Sequence, residues 1–179
     1  MTSRPAYAQR PATGEHAPYY STYVSHVPDG DILATLAAQH EQTQALIRGI
    51  PEARGGHRYA EGKWSIRESI GHMVDTERVF SYRAMSFARG DETHLPAFDE
   101  NTWVANASFD ARTLASLADE FRAVRAATVA LLGNLNATEW SRIGKASIAY
   151  MSVRAAAWVI AGHELHHVGV LKSRYLQMP

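Results

Sequence analysis

The chain of 179 residues contains no cysteine. This absence excludes disulfide bonds, thiolate metal ligands and a cysteine nucleophile. Any sulfur chemistry therefore has to use a thiol that another molecule supplies. The composition also suits a reducing compartment, and we expect a cytoplasmic protein.

The sequence also lacks an excess of charge of either sign and long apolar runs. Lys+Arg and Asp+Glu both number 18, so the formal net charge is zero, and we expect no nucleic-acid partner because such proteins carry a basic patch or stripe. No stretch approaches the roughly 18 consecutive apolar residues of a membrane span. Residues 1–17 carry no apolar core, so we expect no signal peptide.

What remains is an ordinary globular composition, with 46% hydrophobic and 20% charged residues. Residues 1–28 are rich in proline, and we predict an extended or partly disordered lead-in whose end is pinned to the body by Tyr19, Tyr20 and Tyr23. Residues 29–179 have the length of a single domain with a substantial core.

Four segments show the apolar spacing of amphipathic helices. The first begins near Asp31 and ends before Pro51, and the second begins at Ser65, where Glu68 completes a capping box, and runs to about Ala88. The third is expected from Ala111 to Leu135 behind an Asp110 cap, and the fourth from Ser152 to Leu176.

These segments predict an all-α protein. Residues 90–109 form a long connection, which in a compact domain is usually functional or carries a short helix. Residues 143–150 are extended or irregular, and no repeat or β-hairpin signal stands out. Four helices of about 20–25 residues with one long crossover are typical of a four-helix bundle.

Three histidines occupy positions in these helices. His163 and His167 are four residues apart, so their imidazoles lie one above the other on one helix face. That face is otherwise apolar and points into a core. A third imidazole from another helix, such as His72 on the second, would complete a three-nitrogen metal site with room for water or substrate.

The spacing alone leaves two interpretations open. A histidine on an apolar face is often a core residue with a single buried hydrogen bond. Two neutral imidazoles buried without partners, however, cost roughly 1–3 kcal/mol for each unsatisfied polar group. A bound metal ion removes that penalty.

The sequence resembles the DinB/YfiT-like family over about residues 19–177. The similar motifs are Gly62-Lys-Trp-Ser-Ile-Arg-Glu68 followed by Gly71-His72, Asp75-Thr-Glu-Arg78, Leu95-Pro-Ala-Phe-Asp-Glu100, and His163-x-x-x-His167. The resemblance implies a four-helix bundle of unusual order that binds a divalent metal ion through three histidines, which by motif are His72, His163 and His167.

The resemblance implies less about the reaction. Related branches include a mycothiol-dependent maleylpyruvate isomerase, bacillithiol transferases and the N-terminal part of ergothioneine-forming sulfoxide synthases. We therefore expect a metal-dependent hydrolase or thiol-dependent transferase acting on a small molecule, with a low-molecular-weight thiol as one candidate. The alternative is a non-catalytic metal-binding bundle that serves as a stress-response or binding module. Imidazole ligands suit Zn, Ni or Fe, so the metal is not identified.

Five further residues are candidates for the surroundings of the site. Glu68 and Asp75 lie within about one turn of His72 and are candidates to orient it. Arg83 and Arg174 project along the ligand faces and either hold an anionic substrate or pair with carboxylates of the bundle. His166 is a fourth ligand, a proton carrier or a packing residue.

Two other expectations concern packing and assembly. Glu164 follows His163 but projects about 100° away on an α-helix, so we expect it to be structural. Trp64, Phe98 and Trp103 either line the mouth of a pocket or belong to the core. Family analogy and the many Ala and Leu residues of the first and third helices suggest a homodimer.

Overall fold

The computed structural model of the chain describes residues 9–178. The part of the predicted lead-in that covers residues 1–8 lies outside the described residues. Four long helices form the body of the described chain, which confirms the predicted bundle. In chain order the α-helices are α1 (Ser21–His26), α2 (Ile32–Gly49), α3 (Ile66–Ala88), α4 (Glu100–Asn106), α5 (Leu114–Gly133), α6 (Ala137–Ser141) and α7 (Val153–Val170).

Helix starts follow local side-chain chemistry. The carboxylate of Asp31 accepts hydrogen bonds from Leu33 N and Ala34 N at the start of α2. Ser65 and Glu68 form the predicted capping box at the start of α3. Each cap satisfies backbone N–H groups that the first helical turn leaves without partners.

The third long helix begins later than predicted. Asp110 does not cap it, because residues Phe109–Ala111 form a 3₁₀ turn and the hydroxyl of Thr113 accepts from Ser116 N at the start of α5. Asp110 instead accepts a hydrogen bond from Ser65 Oγ at 2.5 Å. Its carboxylate therefore joins two helix starts rather than beginning one.

Helix α7 lies at the centre of the packing. It contacts α1, α2 and α3, while α5 packs against α2 and α3. Trp158, Val159 and Ile160 of α7 are almost fully buried. Beyond Val170 the helix continues as a π-helical turn, Leu171–Leu176. In the part of the chain described here, no helix combines the length and apolarity needed to cross a bilayer.

The segment after α6 forms a β-hairpin, which the sequence did not predict beyond an extended stretch. β1 (Ile143–Ala146) pairs antiparallel with β2 (Ala149–Ser152). The long crossover is attached to this hairpin, because Leu95 N donates to Lys145 O at 3.0 Å and Ser147 N donates to Leu95 O at 2.9 Å. This attachment fixes the crossover beside α3.

The lead-in has more regular structure than predicted. Residues Thr13–Glu15 and Pro18–Tyr20 form 3₁₀ turns ahead of α1. Glu15 accepts a hydrogen bond from Ser152 Oγ at 2.7 Å and pairs with Arg154 at the start of α7. At Gly162 a Cβ atom would lie 2.0 Å from Tyr23 O, so only glycine permits α1 to approach α7 this closely.

Candidate metal centre

Helices α3 and α7 bring three imidazoles together. His72 Nε2 lies 3.0 Å from His163 Nε2, and His167 stacks one turn after His163 with ring centroids 4.4 Å apart. Each of the three offers a ring nitrogen, and these nitrogens lie within 4.8 Å of one another. Zn–N distances of about 2.0–2.1 Å place the nitrogens of a tetrahedral site roughly 3.4 Å apart, which small rotations of these rings can reach.

The cluster is held in the neutral state. Burial, with a smaller contribution from His166, lowers the pKa of His72 to about 4. Burial and the neighbouring His72 and His166 lower the pKa of His167 to about 3. Burial also lowers the pKa of His163 well below its ordinary value. Neutral imidazoles keep a lone pair, which is the form that ligates metal ions.

The imidazoles have few partners other than one another. Apart from the contact between His72 and His163, Thr76 Oγ1 lies 3.5 Å from His72 Nδ1, at the outer limit of a hydrogen bond. No carboxylate of the described residues hydrogen-bonds to the three rings. Two buried rings and the half-buried ring of His167 have nitrogens within 4.8 Å of one another and few partners, so they fit a divalent metal ion, which would satisfy them.

Two cavities border the cluster. His72 and His163 line the first, of about 140 Å³, together with aromatic side chains and a cation: Tyr19, Tyr20, Tyr23, Phe80, Phe98 and Arg83. His166 and His167 line the second, of about 280 Å³, with Trp64, Ser69, Asn101 and Tyr175 among its other residues. A ligand can therefore reach the histidines from either side.

A buried ion cluster links the same two helices to the rest of the bundle. Arg125 donates to both carboxylate oxygens of Glu77, at 2.8 and 2.7 Å, and to Glu164 Oε2 at 2.8 Å. Thr43 Oγ1 donates to Glu164 Oε1 at 2.6 Å. Burial raises the pKa of Glu164, while Arg125 and Thr43 act in the opposite direction. Glu164 is thus part of the packing of α2, α5 and α7, in keeping with the structural role expected for it.

The two carboxylates proposed to orient His72 have other partners. Glu68 accepts from Ser65 N at 2.7 Å and pairs with Arg58, and these contacts lower its pKa against the effect of burial. Asp75 pairs with Arg78 at 3.5 Å, and burial raises its pKa. Neither carboxylate bonds to an imidazole.

The remaining candidates are divided by their positions. Arg83 is 3% exposed and lines the first cavity. Arg174 is exposed on the π-helical turn, where the wider i→i+5 winding rotates it off the histidine stripe of an uninterrupted helix. His166 packs edge-on against His167 and Tyr23, at 5.0 and 5.6 Å between centroids, and lies outside the group of three converging nitrogens.

Some of the aromatic residues around the site were considered for this place from the sequence, and one was not. The ring centroids of Trp64 and His72 are 4.7 Å apart, and Phe98 lines the first cavity, so both lie beside the site, which is one of the two alternatives considered for them. Trp103 packs on Phe98 and lines a neighbouring apolar groove. Tyr23 was predicted only as a packing anchor, but its ring centroid lies 5.3 Å from that of His163. No sequence signal places it there, because the contact joins distant parts of the chain.

Comparisons with known proteins identify the family and the fold. A sequence model described as the DinB superfamily matches residues 31–171. A comparison with curated protein sequences finds no significant match.

Two solved structures have the same fold. One is described as "YfiT from Bacillus subtilis is a probable metal-dependent hydrolase with an unusual four-helix bundle topology"; it is 15% identical, has a TM-score of 0.67, and the similarity covers 96% of this chain and 95% of that one. The other is a mycothiol-dependent maleylpyruvate isomerase, 15% identical with a TM-score of 0.64, covering 81% of this chain and 61% of that one.

Proposed function

Because the chain belongs to the DinB superfamily and gathers three imidazoles beside two cavities, we propose that it is a metal-dependent enzyme acting on a small molecule. In this proposal His72, His163 and His167 bind one divalent ion. The reaction is a hydrolysis or a thiol-dependent transfer. The convergence of the three neutral imidazoles is the observation that carries the proposal.

The reaction classes follow from what a bound ion and this chain each provide. A divalent ion held by three imidazoles supplies Lewis acidity toward a water, a thiol or a carbonyl. The chain contains no cysteine, so a thiol has to enter as a substrate. One structural neighbour is described as a probable metal-dependent hydrolase, which supports the first class, and the other as a mycothiol-dependent isomerase, which supports dependence on a thiol.

The surroundings of the histidines favour a catalytic role for the ion over a purely structural one. The first cavity reaches His72 and His163 and has aromatic walls, so a small molecule has room beside these two histidines. The low pKa values of His72 and His167 keep both rings uncharged at neutral pH, with one ring nitrogen free to ligate. These rings are therefore ready to ligate without first losing a proton.

Metal content tests the assignment. Protein purified without added metal and then loaded with Co²⁺ should bind one ion per chain, and elemental analysis of the protein as purified would identify the natural metal. His72→Ala should lose stoichiometric binding, because two imidazoles on one helix leave too few protein ligands. The exposed His57 provides the matched control, and His57→Ala should bind as much cobalt as the parent. Unchanged cobalt content in His72→Ala would contradict the assignment.

The spectrum of the cobalt protein separates catalysis from structure. A small thiol or an ester that displaces an exchangeable ligand should shift the visible bands. A spectrum that responds to neither would favour the non-catalytic binding module. The homodimer and the cytoplasmic location stay predictions, and light scattering at micromolar concentration tests the first.

A further inference from the structure

The first cavity contains a buried cation without a counter-ion in the described part of the chain. Arg83 is 3% exposed, and its Nη2 donates one hydrogen bond to Pro96 O at 3.0 Å. Its guanidinium lies over the rings of Phe80 and Phe98, at 5.1 and 5.8 Å from their centroids. No carboxylate of the residues described here pairs with it.

An isolated buried guanidinium is energetically expensive. Removing a charge from water costs several kcal/mol unless an opposite charge and hydrogen bonds compensate. Aromatic faces offset part of that cost. Arginine has five N–H donors in a planar fork, of which the described chain engages one. The remaining donors match the geometry of a carboxylate.

The cavity that Arg83 shares with His72 and His163 limits what can bind. Its volume is about 140 Å³, close to the roughly 150 Å³ of a cavity that accommodates benzene. Tyr20 and Phe80 form an apolar wall, with rings packed edge to face at 5.6 Å. Glu100 also lines the cavity but is exposed to solvent, where water and salt screen its charge.

We infer that Arg83 determines substrate class by binding the carboxylate of a small organic acid, whose other end faces the histidine cluster. This inference rests on the proposed function and adds to it the charge and size of the substrate. Arg83 binds and orients the acid, and the apolar wall accommodates its short carbon chain. A neutral analogue of equal length lacks the interaction with Arg83.

A pair of thiols that differ only in charge tests this inference. The Co²⁺-loaded protein is titrated with 3-mercaptopropionate and with 3-mercapto-1-propanol, and binding is followed through the visible spectrum. The parent protein should prefer the acid by about 10- to 100-fold, the range of a hydrogen-bonded charged pair. Arg83→Met should lose this preference and retain its affinity for the neutral thiol.

Arg174→Met is the matched control, because Arg174 lies on the same stripe as the histidines in sequence but is exposed in the structure. It should keep the preference for the acid. If Arg83→Met does not fold, Arg83→Lys keeps the charge and removes the fork, and it should bind the acid several-fold more weakly than the parent. If the parent, Arg83→Met and Arg83→Lys all had the same ratio of affinities for the acidic and the neutral thiol, the inference would be overturned.

A second measurement needs no metal, so failure of the metal site stays distinguishable from failure of the Arg83 site. In metal-free protein at constant ionic strength, propionate should raise the melting temperature of the parent and not that of Arg83→Met. No response in either protein would overturn the inference. A larger response to inorganic phosphate than to propionate would contradict the assignment to a carboxylate. Absence of cobalt binding with a normal propionate response would contradict the proposed function alone.

Discussion

Helices α3 and α7 carry two buried polar clusters with opposite properties. The cluster of Arg125, Glu77, Glu164 and Thr43 is saturated with charged hydrogen bonds of 2.6–2.8 Å. The histidine cluster has one internal contact of 3.0 Å and one of 3.5 Å. The first cluster is complete without a ligand, whereas the second leaves three ring nitrogens close together with few hydrogen-bond partners. This difference separates a cluster whose polar atoms are already satisfied from one that still has the capacity to bind a ligand.

The largest effect should come from breaking the complete cluster. Arg125→Met leaves the carboxylates of Glu77 and Glu164 buried without their cation, and we expect a loss of about 3–5 kcal/mol in the free energy of unfolding. Urea denaturation at neutral pH measures the change.

Arg122, on the same helix, supplies the control because its side chain is 65% exposed. Arg122→Met should stay within about 0.5 kcal/mol of the parent. A loss below about 1 kcal/mol in Arg125→Met would show that the cluster does not support the fold as described.

Acid should reveal the incomplete cluster in metal-free protein. The unfolded chain takes up protons on its histidines near pH 6.5, but folded His72 and His167 remain neutral until pH values of about 4 and 3. Between the pKa of the unfolded histidines and the lower pKa values of the folded ones, the unfolded state binds more protons than the folded state. The free energy of unfolding therefore falls as the pH drops below about 6.5. Each histidine contributes up to about 1.4 kcal/mol per pH unit.

Urea unfolding at pH 7, 6 and 5 gives this slope above the range where most carboxylates titrate. His72→Gln removes one of the titrating groups and should have a shallower profile. Parallel profiles for the parent and His72→Gln would mean that His72 is not held neutral in the folded protein.

The smallest effect should come from Glu68, which the sequence places near His72 but which caps α3 in the structure. Glu68→Gln should reduce stability by about 1 kcal/mol or less and leave the affinity for Co²⁺ within about twofold of the parent. Competition with a chelator measures that affinity. A loss of tenfold or more, the effect of removing a group that orients a ligand, would return Glu68 to the role first considered for it.

Local chemistry explains which features the sequence revealed. Ser65 and Glu68 are three residues apart, and His163 and His167 four, so the capping box and the shared helix face follow from helix geometry alone. Bundle geometry suggested His72 as a third imidazole, and the family resemblance matched it to that pair by motif. The bundle followed from apolar spacing, although the structure caps α5 with Thr113 and not with the predicted Asp110.

Long-range pairing explains what the sequence did not reveal. Arg125 meets Glu77 across 48 residues and Glu164 across 39, and no local pattern selects these partners among the other charged residues. Arg83 and Arg174 looked equivalent until the π-helical turn moved Arg174 to the surface. The tyrosines of the first cavity depend on the close approach of α1 to Gly162.

The attachment of the lead-in to α7 has a consequence for the order of folding. Glu15 and Ser152 are 137 residues apart, and a contact of such high sequence separation closes late because its loop entropy has to be overcome first. During synthesis α7 leaves the ribosome after the other long helices of the described chain. The lead-in and α3 therefore cannot form their contacts with α7, which carries two of the three histidines, until that helix has been synthesised. A nascent chain therefore lacks two of the three histidines of the candidate site until that helix has been synthesised and has docked.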